Sequence, residues 1–154
     1  MGDTTMQLQN LLNIAQQGKS YDESLALWQA SINQWATHVL SRDSIQALDN
    51  DLTHYHNELS DALSAVAKAH QCDDRLYDQV LCIGELFTAA VVTAYLEEQG
   101  VDAVCLDASQ VLTVDKQHGE ITIDWQTSQA HFSHWLAKNQ SRDVLVVTGL
   151  SLIH

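Results

Sequence analysis

The carboxylate of Glu85 has the most specific setting of any side chain able to bind or react, following Gly84 inside the apolar stretch Ile83-Gly84-Glu85-Leu86-Phe87-Thr88-Ala89-Ala90. A glycine at a helix start allows close access to the backbone. A carboxylate in a first turn is favoured by the helix dipole and can accept an ammonium ligand. The same pair also reads as a plain helix start with an ordinary first-turn Glu. Histidine offers a second chemistry, with 8 in the chain. His131 and His134 are spaced i, i+3 and share a helix face, whereas His54 and His56 fall on different faces. Neither pair has a third ligand close in sequence, and neither belongs to an H-E-x-x-H pattern. Both read as solvated helix faces, with a zinc site of His and Asp as the alternative. There is no G-x-S-x-G motif, and the 6 glycines are too dispersed to cradle phosphate.

These groups need elements to hold them, and the periodicity supplies a set. Residues 5–17 carry apolar side chains at mostly helical spacing, with Gly18 as a stop. Ser20 and Glu23 have the spacing of a capping box ahead of a helix running to Leu40, with Leu25, Trp28, Ile32, Trp35 and Val39 on its stripe. Asp43 or Ser44 caps a longer helix with Ile45, Leu48, Leu52, Tyr55, Leu59, Leu63 and Val66 aligned. From Asp73 a helical stretch reaches Gln99, closed by Gly100 and interrupted at Gly84, since an interior glycine costs about 1 kcal/mol against alanine. Beyond Gly100 the period falls to two. Strands are expected at Ala103–Leu106, Val111–Val114 and Ile121–Trp125, the last two separated by the turn Lys116-Gln117-His118-Gly119. A helix follows over Ser128–Lys138, and the β-branched run Val144–Thr148 predicts a buried parallel strand.

Composition limits the function classes. The 154 residues carry 7 Lys+Arg against 20 Asp+Glu, a formal charge of −13, and the few cations are scattered, which excludes nucleic acid as a partner. A 45% apolar content with four Trp predicts a packed core. No apolar run approaches ~20 residues, so no membrane span is expected. The start, MGDTTMQLQN, lacks the basic and apolar regions of a secretion signal. The three cysteines form no C-x-x-C and read as reduced thiols, which makes the cytoplasm the expected location.

Taken in order, several segments resemble the aspartokinase branch of the amino-acid kinase family. That family shows a G-E-x-x-S/T segment, matched by Gly84 to Thr88, and a helix ending in glycine, matched by Gly100. Its strand leading to a D-A-x-Q turn is matched by Ala103–Leu106 and Asp107-Ala108-Ser109-Gln110. Its T-D-x-x-H-G hairpin is matched by residues 114–119, with Val114 in place of the threonine, and its V-V-x-G-F-x-G strand and loop begin at Val146. The resemblance covers about residues 73–149. Met1-Gly2-Asp3-Thr4-Thr5 also looks like the end of the family's S-A-M-G-x-T-T loop, with residues 20–70 as its variable helical region.

The resemblance implies that Glu85, with Gly84 beside it, receives the amino group of L-aspartate and that Thr5 lies near the substrate carboxylate. No catalytic residue and no metal ligand carry over. The parent reaction would move the γ-phosphate of ATP, with Mg²⁺, to the β-carboxylate of L-aspartate in the biosynthesis of lysine, threonine and methionine. Bringing two anions together depends on cations and backbone donors around the phosphoryl group. The family takes them from K-F-G-G-T-S, V-S-A, G-F-x-G and G-R-G-G-S-D segments. The first two would precede Met1 and the last would follow His154. At the third, Leu150 and Leu152 stand for the Phe and the second Gly.

The resemblance therefore leads us to expect an α/β fold: a truncated three-layer αβα amino-acid-kinase-like domain spanning 1–154. Residues 1–72 would be helical, and 73–154 would be α/β with a small sheet and a hairpin at 111–125. The chain should bind L-aspartate weakly, hold no cofactor and catalyse no phosphotransfer by itself. It should form a homo-oligomer through open sheet edges or the Trp28/Trp35 stripe. The alternative is a non-enzymatic helical interaction module built on residues 22–70, with the kinase-like segment vestigial.

Overall fold

A computed structural model describes residues 4–117 and 120–148. Four helices come first: α1 (Thr4–Gln16), α2 (Asp22–Val39), α3 (Arg42–Ala69) and α4 (Asp74–Glu98). Their apolar stripes close on one another, with Leu8, Leu11 and Leu12 of α1, Trp28 and Ile32 of α2, Leu59, Leu63 and Val66 of α3, and Val80, Ile83 and Phe87 of α4 forming one buried cluster. Edge-on ring contacts of Trp28 and Tyr55 with Phe87, at centroid distances of 5.4 and 5.3 Å, lie inside it. Trp28 is only 2% exposed, so it belongs to this core and not to a surface stripe with Trp35. The expected Trp28/Trp35 association face is corrected accordingly.

The helix ends differ from expectation in local chemistry. α2 starts after Tyr21 without a side-chain cap, because Ser20 Oγ donates to Asp22 Oδ2 at 2.9 Å instead of closing a box with Glu23. α3 is capped by Ser41, ahead of Asp43 and Ser44. Its Oγ accepts from Ser44 N–H, while its own N–H donates to Glu98 Oε1 at 2.7 Å and so ties the start of α3 to the end of α4. α4 is capped by Asp73, whose Oδ1 accepts from Leu76 N–H at 2.8 Å. It ends in a Schellman arrangement, with Gly100 at φ +79° and Val101 N–H donating to Leu96 O. Its most apolar 18 residues have a mean hydropathy of 1.6, enough by length and composition for a membrane span. Half of that window is buried inside the protein. Val80, Ile83 and Phe87 face the helical core, Val91 and Ala94 meet Ala36 of α2 and Leu40 just beyond its end, and α4 also packs on the sheet.

That sheet pairs β1 (Ala103–Leu106) with β4 (Val144–Val147) in parallel, Ala103 opposite Val144 and Leu106 opposite Val147. The parallel pairing agrees with the β-branched run, but Val144 and Val147 are 37% and 52% exposed, so β4 is not the buried strand expected. In a two-stranded sheet every strand is an edge and lacks the second neighbour that encloses a central parallel strand. Between β1 and β4 come a 3-10 turn (Ala108–Gln110), the antiparallel hairpin β2 (Val114–Gln117) with β3 (Glu120–Ile123), and α5 (Trp125–Lys138). β2 lies three residues later than the strand expected at Val111–Val114, while β3 starts one residue before the strand expected at Ile121–Trp125. Trp125, expected to end a strand, opens α5 because Asp124 caps the helix by accepting from Thr127 N–H at 3.0 Å. His118 and Gly119 of the expected turn, Met1 to Asp3, and residues 149–154, on which the expected G-F-x-G match falls, lie outside the described residues.

Candidate functional site

α4 runs unbroken through Gly84, so the break expected there is absent and Glu85 sits in the helix interior, away from the N-terminal dipole. The cause is a close helix contact. A Cβ on Gly84 would lie 2.9 Å from Leu8 Cδ1 and 3.3 Å from Thr4 Cγ2. Glycine's intrinsic helix penalty, about 1 kcal/mol, is offset by letting α1 lie against α4.

Leu81, Glu85, Thr88, Ala89 and Val92 recur at helical spacing and form one wall of an open cleft of about 400 Å³. Thr4 and Thr5 in the first turn of α1 form the second wall, and Val146, Val147 and Thr148 at the end of β4 form the third. All three residues singled out from the sequence, Glu85, Gly84 and Thr5, thus line the same cleft. The sequence motifs contained Thr88, Val146, Val147 and Thr148 without marking them as site residues. Thr88 was recoverable, standing three residues after Glu85 and hence on its face. The valines belonged to the V-V-x-G match, but only the fold brings β4 across from α4.

Thr88 and Thr148 are held by backbone partners. Thr88 Oγ1 donates to Gly84 O at 2.8 Å, one turn back in α4. Thr148 is buried. Its Oγ1 accepts from Ala108 N–H at 2.9 Å and its N–H donates to Leu106 O at 3.0 Å, which fixes the end of β4 to the turn after β1. Glu85 is half-buried, with Oε2 shielded from water. It is the sole charged side chain among the described lining residues. α1 brings the opposite polarity, since the first N–H groups of a helix have no intrahelical acceptor and carry a partial positive charge. A carboxylate on one wall and a helix N-terminus on another suit a ligand that carries both an ammonium and a carboxylate.

The neighbouring nucleophiles are held protonated. The Cys82 thiol is pushed up to about 11, first by burial and then by the charges of Glu85, Asp107 and Asp78. Burial likewise raises Cys105, and it pushes the Tyr55 hydroxyl up to about 12 with help from Asp51. Neither thiol has the electropositive setting of a reactive cysteine. The histidines are dispersed. His54 pairs with Glu58 at 3.6 Å, His56 packs against Phe87 in the core at a ring distance of 5.0 Å, and His131 and His134 are exposed on α5. No group of three or more His, Cys, Asp or Glu is placed to hold a metal among the described residues.

No protein-family model matches the chain. Among curated proteins, the chloroplastic bifunctional aspartokinase/homoserine dehydrogenase 1 of Arabidopsis thaliana is 25% identical over 115 residues, which make up 74% of this chain and 12% of that protein. Among solved structures, E. coli aspartokinase III in complex with aspartate and ADP matches with a TM-score of 0.67 at 16% identity, over 91% of this chain and 31% of the other. The chain therefore corresponds to only part of either protein, and the structural likeness is one of fold. Helical front, small parallel sheet and sequence similarity agree in making this an aspartokinase-like chain with an aspartokinase-like fold.

Proposed function

We propose that the cleft is the amino-acid end of an aspartokinase-type site, that it binds L-aspartate, and that this chain alone transfers no phosphate. Glu85 takes the ammonium group, and the N-terminus of α1 with the Thr5 hydroxyl takes a carboxylate. The observation that carries this reading is the meeting of Glu85 and the α1 N-terminus across one cleft of amino-acid size. The solved aspartokinase III, whose fold this chain shares in part, was crystallised with aspartate and ADP.

ATP, which the resemblance assigns together with Mg²⁺ to the parent reaction, does not fit the described lining of this cleft. A triphosphate meeting a carboxylate needs several directed cations or N–H groups. The described lining offers one anionic side chain and no Lys or Arg, in a chain of formal charge −13. Losing a single such stabiliser raises a barrier by roughly 3–4 kcal/mol, and no phosphoryl-transfer step is derived for these residues.

The test is a titration of the 154-residue chain with L-aspartate, followed by calorimetry or amide chemical shifts, beside succinate and beside Glu85→Gln. Succinate keeps both carboxylates and lacks the ammonium. Aspartate should bind at about millimolar Kd, succinate should not bind, and Glu85→Gln should weaken aspartate at least about tenfold. Equal binding of succinate, or an unchanged Kd in Glu85→Gln, would refute the assignment. ADP release above blank with ATP, Mg²⁺ and aspartate would refute the claim of inactivity.

A further inference from the structure

Gly84 is the single glycine of α4 and it lies where α1 crosses. The atoms that a Cβ would meet are poorly able to yield. Leu8, whose Cδ1 would be 2.9 Å away, is 1% exposed within the helical core, so its methyl has no open space to turn into. Thr4, whose Cγ2 would be 3.3 Å away, is β-branched and stiff at χ1 in a helical turn. Turning Leu8 would disturb its buried neighbours and leave the Thr4 contact in place, whereas moving the N-terminal turn of α1 off α4 relieves both contacts at once. Restoring the 2.9 Å contact to an ordinary 3.4 Å takes about half an ångström. That equals the ~0.5 Å tolerance within which a binding constellation works. The residues displaced, Thr4 and Thr5, are the ones facing Glu85 across the cleft.

We infer that Gly84 is a positioning residue: its missing side chain sets the gap between the α1 N-terminus and Glu85, and thereby the fit of the cleft to the two charged ends of an amino acid. The inference rests on the amino-acid reading of the cleft for its ligand, but on helix packing for its geometry. Gly84 touches the ligand space through its backbone, so a Cβ has two possible effects, displacing α1 or simply occupying the cleft. Leu8→Val separates them, because valine lacks the δ-methyl that the new Cβ would strike.

The experiment compares wild type, Gly84→Ala, Leu8→Val and the double variant by two readouts, amide hydrogen exchange over residues 4–12 and Kd for L-aspartate. Gly84→Ala should speed exchange in that segment and weaken aspartate, each by about tenfold or more, while the far end of α4 keeps its protection. The double variant should recover both, and Leu8→Val alone should bind like wild type. Unchanged exchange in Gly84→Ala would overturn the inference. So would weakened binding that persists in the double variant while exchange over residues 4–12 returns to the wild-type rate, which would mean that the Cβ merely fills the cleft. If wild type shows no aspartate binding, the ligand reading fails, and the exchange arm alone then decides whether Gly84 sets the position of α1.

Discussion

Phe87→Ala tests the packing that makes α4 a rigid wall for the cleft. Phe87 is fully buried and meets three rings, Trp28 at 5.4 Å, Tyr55 at 5.3 Å and His56 at 5.0 Å. Removing a buried phenyl group costs about 3–5 kcal/mol in transfer and cavity terms, part of which is aromatic pairing worth ~0.5–1.5 kcal/mol per contact. Against a total stability of roughly 5–15 kcal/mol this is a large share. At ~2–4 °C per kcal/mol for a chain of this size, Tm should fall by roughly 6–20 °C. Urea and thermal melts followed by circular dichroism give the stability. Tryptophan fluorescence gives the site, because Trp28, 2% exposed and in edge contact with Phe87, should shift to the red as its cover is lost. Val92→Ala, at a residue of α4 that is 37% exposed in the cleft, is the control and should stay within about 1 kcal/mol of wild type. A loss below about 1 kcal/mol in Phe87→Ala, or one matching Val92→Ala, would refute the packed aromatic core and the rigid wall inferred from it.

Two further outcomes follow from buried ionisable groups. Burial lowers the pKa of His56, so the folded chain holds it neutral while the unfolded chain protonates at about 6.5; its contribution to stability is complete above that pH and is lost as pH falls through it, levelling off below the folded-state value. Denaturant melts between pH 7.5 and 5 should therefore show a smaller acid loss in His56→Phe than in wild type, and equal slopes would refute the assignment. Cys82, at about 11, is about one part in a thousand thiolate at pH 8, so iodoacetamide should label it far more slowly in the native chain than in urea. Glu85→Gln should speed native labelling by removing one of the charges that raise this thiol, and native labelling as fast as in urea would contradict the burial.

The helices were legible because their apolar residues recur at three and four, a pattern that survives whatever partner each stripe finds. What failed was decided by contacts between distant parts of the chain. The expected break at Gly84 followed correctly from intrinsic propensity, and the approach of Leu8 and Thr4, which overrides it, has no trace near residue 84. The capping box at Ser20 lost to a side-chain bond only two residues long. The cap of α3 moved to Ser41, where the chain is extended and the N–H finds Glu98 across the fold. β4 was read as buried because Val-rich parallel strands usually are, and its exposure depends on how many strands flank it, which no local pattern encodes. Of the candidate site, Glu85, Gly84 and Thr5 were reached through ordered motifs, whereas the apolar β4 wall needed the topology.

Placing Glu85 inside α4 changes the physics of recognition from what its sequence setting suggested. In a first turn, the N–H groups of its own helix would share its charge and weaken its hold on an ammonium group. In the helix interior that competition is gone, and the partial positive charge on the cleft belongs to a different element, α1. On the proposed reading the two ends of a zwitterion are received by two helices, so selectivity would depend on the distance between them, which we assign to the contact at Gly84. The same division separates binding from phosphoryl transfer. A carboxylate that attracts an ammonium group repels a phosphate, and in a chain with 20 acidic and 7 basic side chains no Lys or Arg stands among the described lining residues to counter it. Glu85→Gln should consequently weaken aspartate without gaining ATP, because removing one negative charge supplies none of the donors that a triphosphate requires.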